Sequence, residues 1–308
     1  MQTAQSLAGT SVTRKHLWRE IRNSAGWYPF ILVNIIVFVV FTLVPYILMV
    51  QYSFTQYDML SPAKFVGLKN YAHLFNDNLL HVSLKNTIAY TLMDVPFNIT
   101  LSLLVAILVN QAIRGVNVFR TLFFLPNITS ITVLALIFFR FLSPRPDAPL
   151  NYIIGIFGIP PQKWFNSEQL ALPSIVGVSV WQTFGYYMIL WLAGLKAIPA
   201  ELYDASKVDG ASGWKMHWYM TLPLLRPTAA FIIMIATIGA LQVFASIYLL
   251  TGGGPVYATT TVAFYIYQRA FTFAELGYAC CMSIMLFVII MAVTSIQGRY
   301  LRFGESHY

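Results

Sequence analysis

Residues 201–227 read ELYDASKVDGASGWKMHWYMTLPLLRP, the densest run of charge in the second half of the chain, and strongly apolar runs lie on both sides of it. The flanks set the fold class. Of 308 residues, 58% are hydrophobic and 10% charged, whereas soluble domains carry about 25% charge. A water-soluble fold of this length would lack the charge to cover its surface. The bilayer is the natural solvent, and the chain reads as an all-α polytopic membrane protein with one membrane domain.

A window of about 20 apolar residues finds six spans, near 29–52, 87–109, 119–142, 172–194, 227–250 and 275–298. They divide the chain into an N-terminal segment 1–28, a six-helix domain 29–298 with the charged stretch in its loop 196–226, and a tail 299–308. Pro45, Pro96 and Pro126 fall inside spans and predict kinks, tolerated where neighbours re-satisfy the freed carbonyl. The residues before the first apolar run are mostly polar and that run is long enough to span, so the N-terminus does not read as a cleaved signal.

Twelve of the nineteen lysines and arginines fall on the side of the N-terminus, among them Arg14, Lys15, Arg114, Lys207 and Arg302. The positive-inside rule then places both termini and the 196–226 loop in the cytoplasm of a cell-membrane protein. The net charge of +8 is spread between spans and forms no stripe of the kind that binds nucleic acid. On the opposite side lie two long stretches, 53–86 and 143–171; the second contains NYIIGIFGI at 151–159, read as a short amphipathic helix at the interface. Adjacent Cys280 and Cys281 lack a C-x-x-C spacing and read as packing residues.

Within the charged loop, Pro199 suits the first position of a helix and Glu201 and Asp204 complement its dipole. Ala205 and Ser206 keep its surface low. Gly210 is placed to end the helix in a left-handed conformation. Ser212 is placed to cap a second short helix that carries Trp214 and Trp218 on one face, and Pro223 and Pro227 admit the next span. Shape alone supports a helix–turn–helix on the cytoplasmic surface, either as an interfacial anchor or as a contact for another protein.

The residues favour the second. DASKVDGASGWKMHWYMTLP, residues 204–223, resembles the EAA loop of ATP-binding-cassette importer permeases: Glu-Ala-Ala, three residues, Gly, nine residues, then Ile-x-Leu-Pro. Asp204, Ala205 and Ser206 stand for Glu-Ala-Ala, Gly210 for the glycine, and Met220, Leu222 and Pro223 for the closing motif. FVGLKNYAHLF at 65–75, FRTLFFLP at 119–126 and LTGGGPVYATTT at 250–261 are similar to sugar-importer permeases of the maltose and glycerol-3-phosphate type. The resemblance implies a type I importer permease fold with a six-helix core. It also implies a second related permease subunit, two cytoplasmic ATPase subunits that carry ATP and Mg, and an external sugar-binding protein. Its loop implies a coupling helix docked in a cleft of the ATPase.

This chain itself shows no nucleotide-binding motif. TGGGP at 251–255 lacks the Gly-Lys-Ser/Thr ending of a phosphate loop and reads as a turn, so the chain is not expected to be an enzyme or to hold a cofactor. His16, His73, His81, His217 and His307 are scattered without metal-ligand spacing. Asp94 is the one acid well inside a span, a functional candidate by default or a partner for backbone freed near Pro96. Asn127, Thr129, Trp181, Gln182, Tyr186, Gln242 and Ser246 mix aromatic faces with hydrogen-bonding groups, as a sugar pathway requires; the same residue types also serve as glue between membrane helices. The two NIT triplets fall inside spans, where glycosylation does not occur. The expectation is a permease subunit for carbohydrate import. Its rivals are a self-contained secondary transporter or channel, for which Asp94 would be the coupling group, and a non-transporting scaffold or sensor.

Overall fold

With no water to bond the backbone, a chain in lipid must satisfy every N–H and C=O internally, and this one does so almost wholly with helices. The computed structural model describes residues 28–111, 115–208, 210 and 213–301. The N-terminal segment up to residue 27, Arg114, Ser212, Arg302 and the end of the tail lie outside them, as do His16 and His307. Among the described residues four helices are long and apolar enough to cross a bilayer, and two bent pairs bring the number to six if each pair is one span.

The first span joins α1 (Tyr28–Phe38) to α2 (Val44–Ser53) through a π turn, Val39–Leu43. Pro45 has no N–H for the Phe41 carbonyl, and the wider ladder just before it absorbs that loss. A two-residue hairpin follows, β1 (Thr55–Gln56) antiparallel to β2 (Lys64–Phe65), then α3 (Lys69–Leu74) and the long α4 (Asn78–Val109). Next come α5 (Val116–Ile128), α6 (Ile131–Phe141), α7 (Pro149–Ile156) and α8 (Ala171–Ala197). The charged loop forms α9 (Ala200–Val208), α10 (Gly213–Met216), a π turn His217–Thr221 and α11 (Leu222–Leu224). The chain ends with α12 (Arg226–Leu241), α13 (Ala245–Leu250), α14 (Val262–Tyr267), a π turn Gln268–Thr272 and α15 (Leu276–Leu301).

Three spans depart from the hydropathy reading. The third is not one helix over 119–142: α5 and α6 meet at 95°. Pro126 weakens the last turn of α5, and Thr129 leaves the helix in an extended conformation while its hydroxyl donates to the Leu125 carbonyl at 3.1 Å. The fifth is not continuous over 227–250. Helix α12 stops at Leu241, and the chain unwinds before α13, with the Thr261 hydroxyl donating 2.9 Å to the exposed Val243 carbonyl. That span instead begins in the charged loop, because His217–Leu224 joins α12 across a 64° bend. The second begins at Asn78 rather than 87, and its helix continues across Pro96. Hydropathy windows miss such shifts because they sum composition and do not see which backbone groups find partners.

Helices α4 and α8 pack along their lengths, and α8 is the most buried span. Ile175, Met188 and Trp191 of α8 meet Ile232 of α12 and Ile247 of α13 in the main core. Towards the end of the bundle opposite the charged loop, a second cluster joins Leu80, Val262, Tyr265, Tyr278, Cys281 and Met282. Both cysteines are buried and unbridged.

That end is fastened by one carboxylate. Asp77 caps α4 by accepting from the N–H groups of Leu79 and Leu80 at 3.0 and 3.1 Å. Its other oxygen accepts from the hydroxyls of Tyr265 and Tyr278, each at 2.8 Å, and lies 3.4 Å from the Arg269 guanidinium. Arg269 also pairs with Glu275 at 2.8 Å. Burial alone would raise the Asp77 carboxyl, but the two phenols, the Leu80 N–H and Arg269 outweigh it and hold it below the ordinary 3.8.

Candidate functional site: an exposed elbow and the helix it drives

Ile198 breaks α8 with extended backbone, and α9 leaves with Glu201 in its first turn and Lys207 in its last, both favourable to the helix dipole. Lys207 pairs with Asp204 at 2.9 Å on the open surface, a contact worth under about 1 kcal/mol. The Ser206 hydroxyl turns back to the Tyr203 carbonyl at 2.9 Å. Gly210 has φ +80° and its N–H reaches the Lys207 carbonyl at 3.1 Å, so the left-handed end expected of it is present.

What the elbow leaves bare is the informative part. Leu202, Ala205 and Val208, three residues apart on α9, are exposed, with Val208 at 88%. Gly210 is exposed too, and a Cβ there would meet nothing within 4 Å. The surface of Leu202, Ala205, Val208 and Gly210 is therefore left bare by the described chain, with the charged Asp204 exposed on the same helix. Leu222 and Pro223 do not belong to that surface. They are half-buried in α11, at the root of the next span, and serve to aim α12. Trp218 is exposed on the π turn rather than on a second regular helix.

The sequence reading missed what ties the elbow together. Thr221 is fully buried, and its hydroxyl lies 3.5 Å from the Tyr203 hydroxyl and 3.4 Å from His217 Nδ1. Tyr203 of α9 thus meets the π turn that leads into α12. Helix α9 is therefore linked to α8 through Ile198 and Pro199 and to the turn before α12 through Thr221.

The proposed pathway residues sit on adjoining elements. Trp181 and Tyr186 are exposed and Gln182 is half-buried. Trp181 lies on the far side of α8 from Ser179 and Thr183, which bond α4, and Gln182 and Tyr186 lie on one flank between. Trp181 stands edge-on to Phe138 of α6, ring centroids 5.4 Å apart. Asn127 occupies the last turn of α5, which crosses α8; Gln242 is exposed at the break after α12, and Ser246 is half-buried on α13. Among the described residues no hydrogen bond joins any two of these side chains. Nor, among the described residues, do the side chains of Asn127, Gln182, Gln242 or Ser246 bond elsewhere, so their hydrogen-bonding capacity is open to a ligand.

Asp94 takes the structural option. Tyr90, Asp94, Asn98 and Ser102 follow at four-residue intervals along α4, all buried against α8. Tyr90 donates to the Ser179 hydroxyl at 2.8 Å, Asn98 to the Asp94 carboxylate at 3.0 Å, Thr183 to the Asn98 carbonyl at 3.0 Å and Trp191 to the Ser102 hydroxyl at 3.1 Å. The ladder locks α4 to α8 as one body. Its four-residue spacing was visible in the sequence, where Asn98 drew notice only as part of a glycosylation triplet.

The comparisons agree with this architecture. The family model described as "Binding-protein-dependent transport system inner membrane component" matches residues 86–302. A probable ABC transporter permease protein, YesP of Bacillus subtilis, is 37% identical over 285 residues, covering 90% of this chain and 91% of that protein. The arabinooligosaccharides transport system permease protein AraP of the same organism is 33% identical over 292 residues, covering 93% and 92%. In a crystal structure of a bacterial ABC transporter involved in the import of the acidic polysaccharide alginate, one chain superposes with a TM-score of 0.82 at 24% identity. It covers 94% of this chain and 99% of that one, which is a likeness of fold. This chain is a membrane permease that belongs to the inner membrane components of binding-protein-dependent transport systems.

Proposed function

We propose that this permease works in an ATP-driven, binding-protein-dependent carbohydrate importer, with both termini in the cytoplasm. Its partners are a second related permease, two ATPase subunits that hold ATP and Mg, and an external sugar-binding protein. The observation that carries this is the bare surface of α9, which follows directly on α8 and touches the turn before α12 through Tyr203 and Thr221. The ATPase is the partner that seats on Leu202, Ala205, Val208 and Gly210. When the ATPases close on ATP, α9 moves as a lever, α8 follows with α4 locked to it, and α12 follows through Thr221. ATP drives the switch only by binding the outward-facing state better than the inward-facing one. The carbohydrate class is supported by the arabinooligosaccharide relative and by the pairing of Trp181 and Tyr186 with unbonded Gln182, Gln242 and Ser246.

A replacement at Gly210 tests the coupling. A side chain at Gly210 meets no described atom within 4 Å but must take the left-handed φ of +80°, so Gly210→Asn serves as the backbone control. Gly210→Trp should insert in membranes as Gly210→Asn does, yet lose the ATPase on purification or lose uptake while Gly210→Asn keeps both. Normal assembly together with normal uptake would refute the coupling role. Gln242→Leu tests the pathway: cargo-stimulated ATP hydrolysis should need about five- to tenfold more sugar, the worth of one lost hydrogen bond. A self-contained ion-coupled carrier would need Asp94 free to exchange protons or ions, and its burial against α8 and its bonds from Tyr90 and Asn98 speak against that.

A further inference from the structure

Helix α7 and the turn after it carry an apolar surface that neither the elbow nor the pathway uses. Tyr152, Ile153, Ile156, Phe157 and Ile159 are exposed, Ile156 and Phe157 at 70% and 77%. No acidic or basic residue occurs between 148 and 162. The buried side of the helix is fastened by Asn151. Its amide donates to the carbonyls of Ser143, Arg145 and Gln162, each at 3.1 Å, and its carbonyl accepts from the Gln162 N–H at 3.0 Å and the Trp164 indole at 2.8 Å. Phe165 is buried, its ring centroid 5.9 Å from that of Phe139 near the end of α6. The surface is therefore held at the level where α6 leaves the bundle and α8 enters it, about 40 Å of helix away from the elbow.

We propose that α7 is an interfacial anchor whose apolar face lies in the headgroup–acyl boundary of the leaflet opposite the elbow. Three observations select lipid as the occupant. The apolar surface comes shortly after the exposed apolar residues Val133, Leu136 and Ile137 of α6, a helix that belongs to a candidate membrane span. Arg140, in the last turn of α6, and Lys163, just after the patch, are exposed and have no ion-pair partner among the described residues; lipid phosphates supply one. A partner that docks and leaves with each cycle would return five large apolar side chains to water every time, and surfaces built for that are more polar. The anchor also gives α8 a fixed outer end, so a push at the elbow pivots the helix instead of sliding it. That last step rests on the coupling role proposed above.

Spin labels on Ile156→Cys, Phe157→Cys and, as a water-facing control, Asp147→Cys test this in the assembled transporter in phospholipid nanodiscs, both native cysteines being buried. Labels at 156 and 157 should collide readily with oxygen and poorly with a nickel chelate, with or without the binding protein. Equal access of the chelate at 156 and 147 would overturn the anchor. So would shielding at 156 and 157 from both reagents, which would mean that a second permease or the binding protein covers the face. With lipid contact established, the double variant Ile156→Asn, Phe157→Asn should assemble normally and lose uptake several-fold while ATP hydrolysis persists. Unchanged uptake would leave the anchor standing and remove its role as a pivot, without bearing on whether α9 couples to the ATPase.

Discussion

Gly185→Ala is expected to cost the permease its packed fold. A Cβ at this position would run into the Phe123 carbonyl oxygen and lie 2.7 Å from the Phe123 carbonyl carbon, with the Phe124 Cα at 3.0 Å. These are backbone atoms of α5 and have no rotamer to retreat into. The helices would have to move apart at the crossing, and overpacking a tight core typically costs about 1–3 kcal/mol, more where backbone is in the way. Gly185 also stands next to Tyr186, so the same separation would disturb the proposed pathway face. The measurement is thermal unfolding in detergent together with uptake in reconstituted vesicles. Gly177→Ala on the same helix is the control, since a Cβ there meets nothing within 4 Å. Equal melting temperatures for the two variants would mean that α5 and α8 do not cross as described.

Asp77→Ala should be comparably damaging at the other end of the bundle. It removes the cap of α4, worth about 1 kcal/mol, and strands the hydroxyls of Tyr265 and Tyr278 and part of Arg269. Breaking a buried ionic cluster by deleting one partner costs about 3–5 kcal/mol; Glu275, still paired with Arg269, moderates that loss. Asp77→Asn keeps the shape and the cap but loses the charge, and it separates the two contributions. The pH dependence has a definite sign. Since folding lowers the Asp77 carboxyl below 3.8, its contribution is present above that value and is lost as pH falls through the lower folded value. The gap in melting temperature between the wild-type chain and Asp77→Asn should therefore be constant near neutrality and narrow below about pH 4. A gap that widened in acid would assign the carboxylate the wrong role.

Residue types and spacing were enough for much of this molecule. Low charge and long apolar runs dictated a helical membrane protein, because only helices or closed barrels satisfy their backbone in lipid. The order Asp204, Ala205, Ser206, then Gly210, then Leu222 and Pro223 located the elbow, since a helix in its first turns and a glycine at its end are local requirements. Tertiary contacts decided the rest. Whether a span breaks depends on whether a distant hydroxyl, such as Thr261 for the Val243 carbonyl, is there to bond the freed group. Leu222 and Pro223 read as part of the coupling surface, and the folded chain half-buries them in the short helix that leads into α12. Asp94 carried two readings until α8 was laid beside it: its bonding neighbours Tyr90 and Asn98 are themselves held by Ser179 and Thr183, which lie some 85 to 89 residues further along the chain. A carboxylate's role in lipid is fixed by what faces it, and only the folded chain brings those groups together.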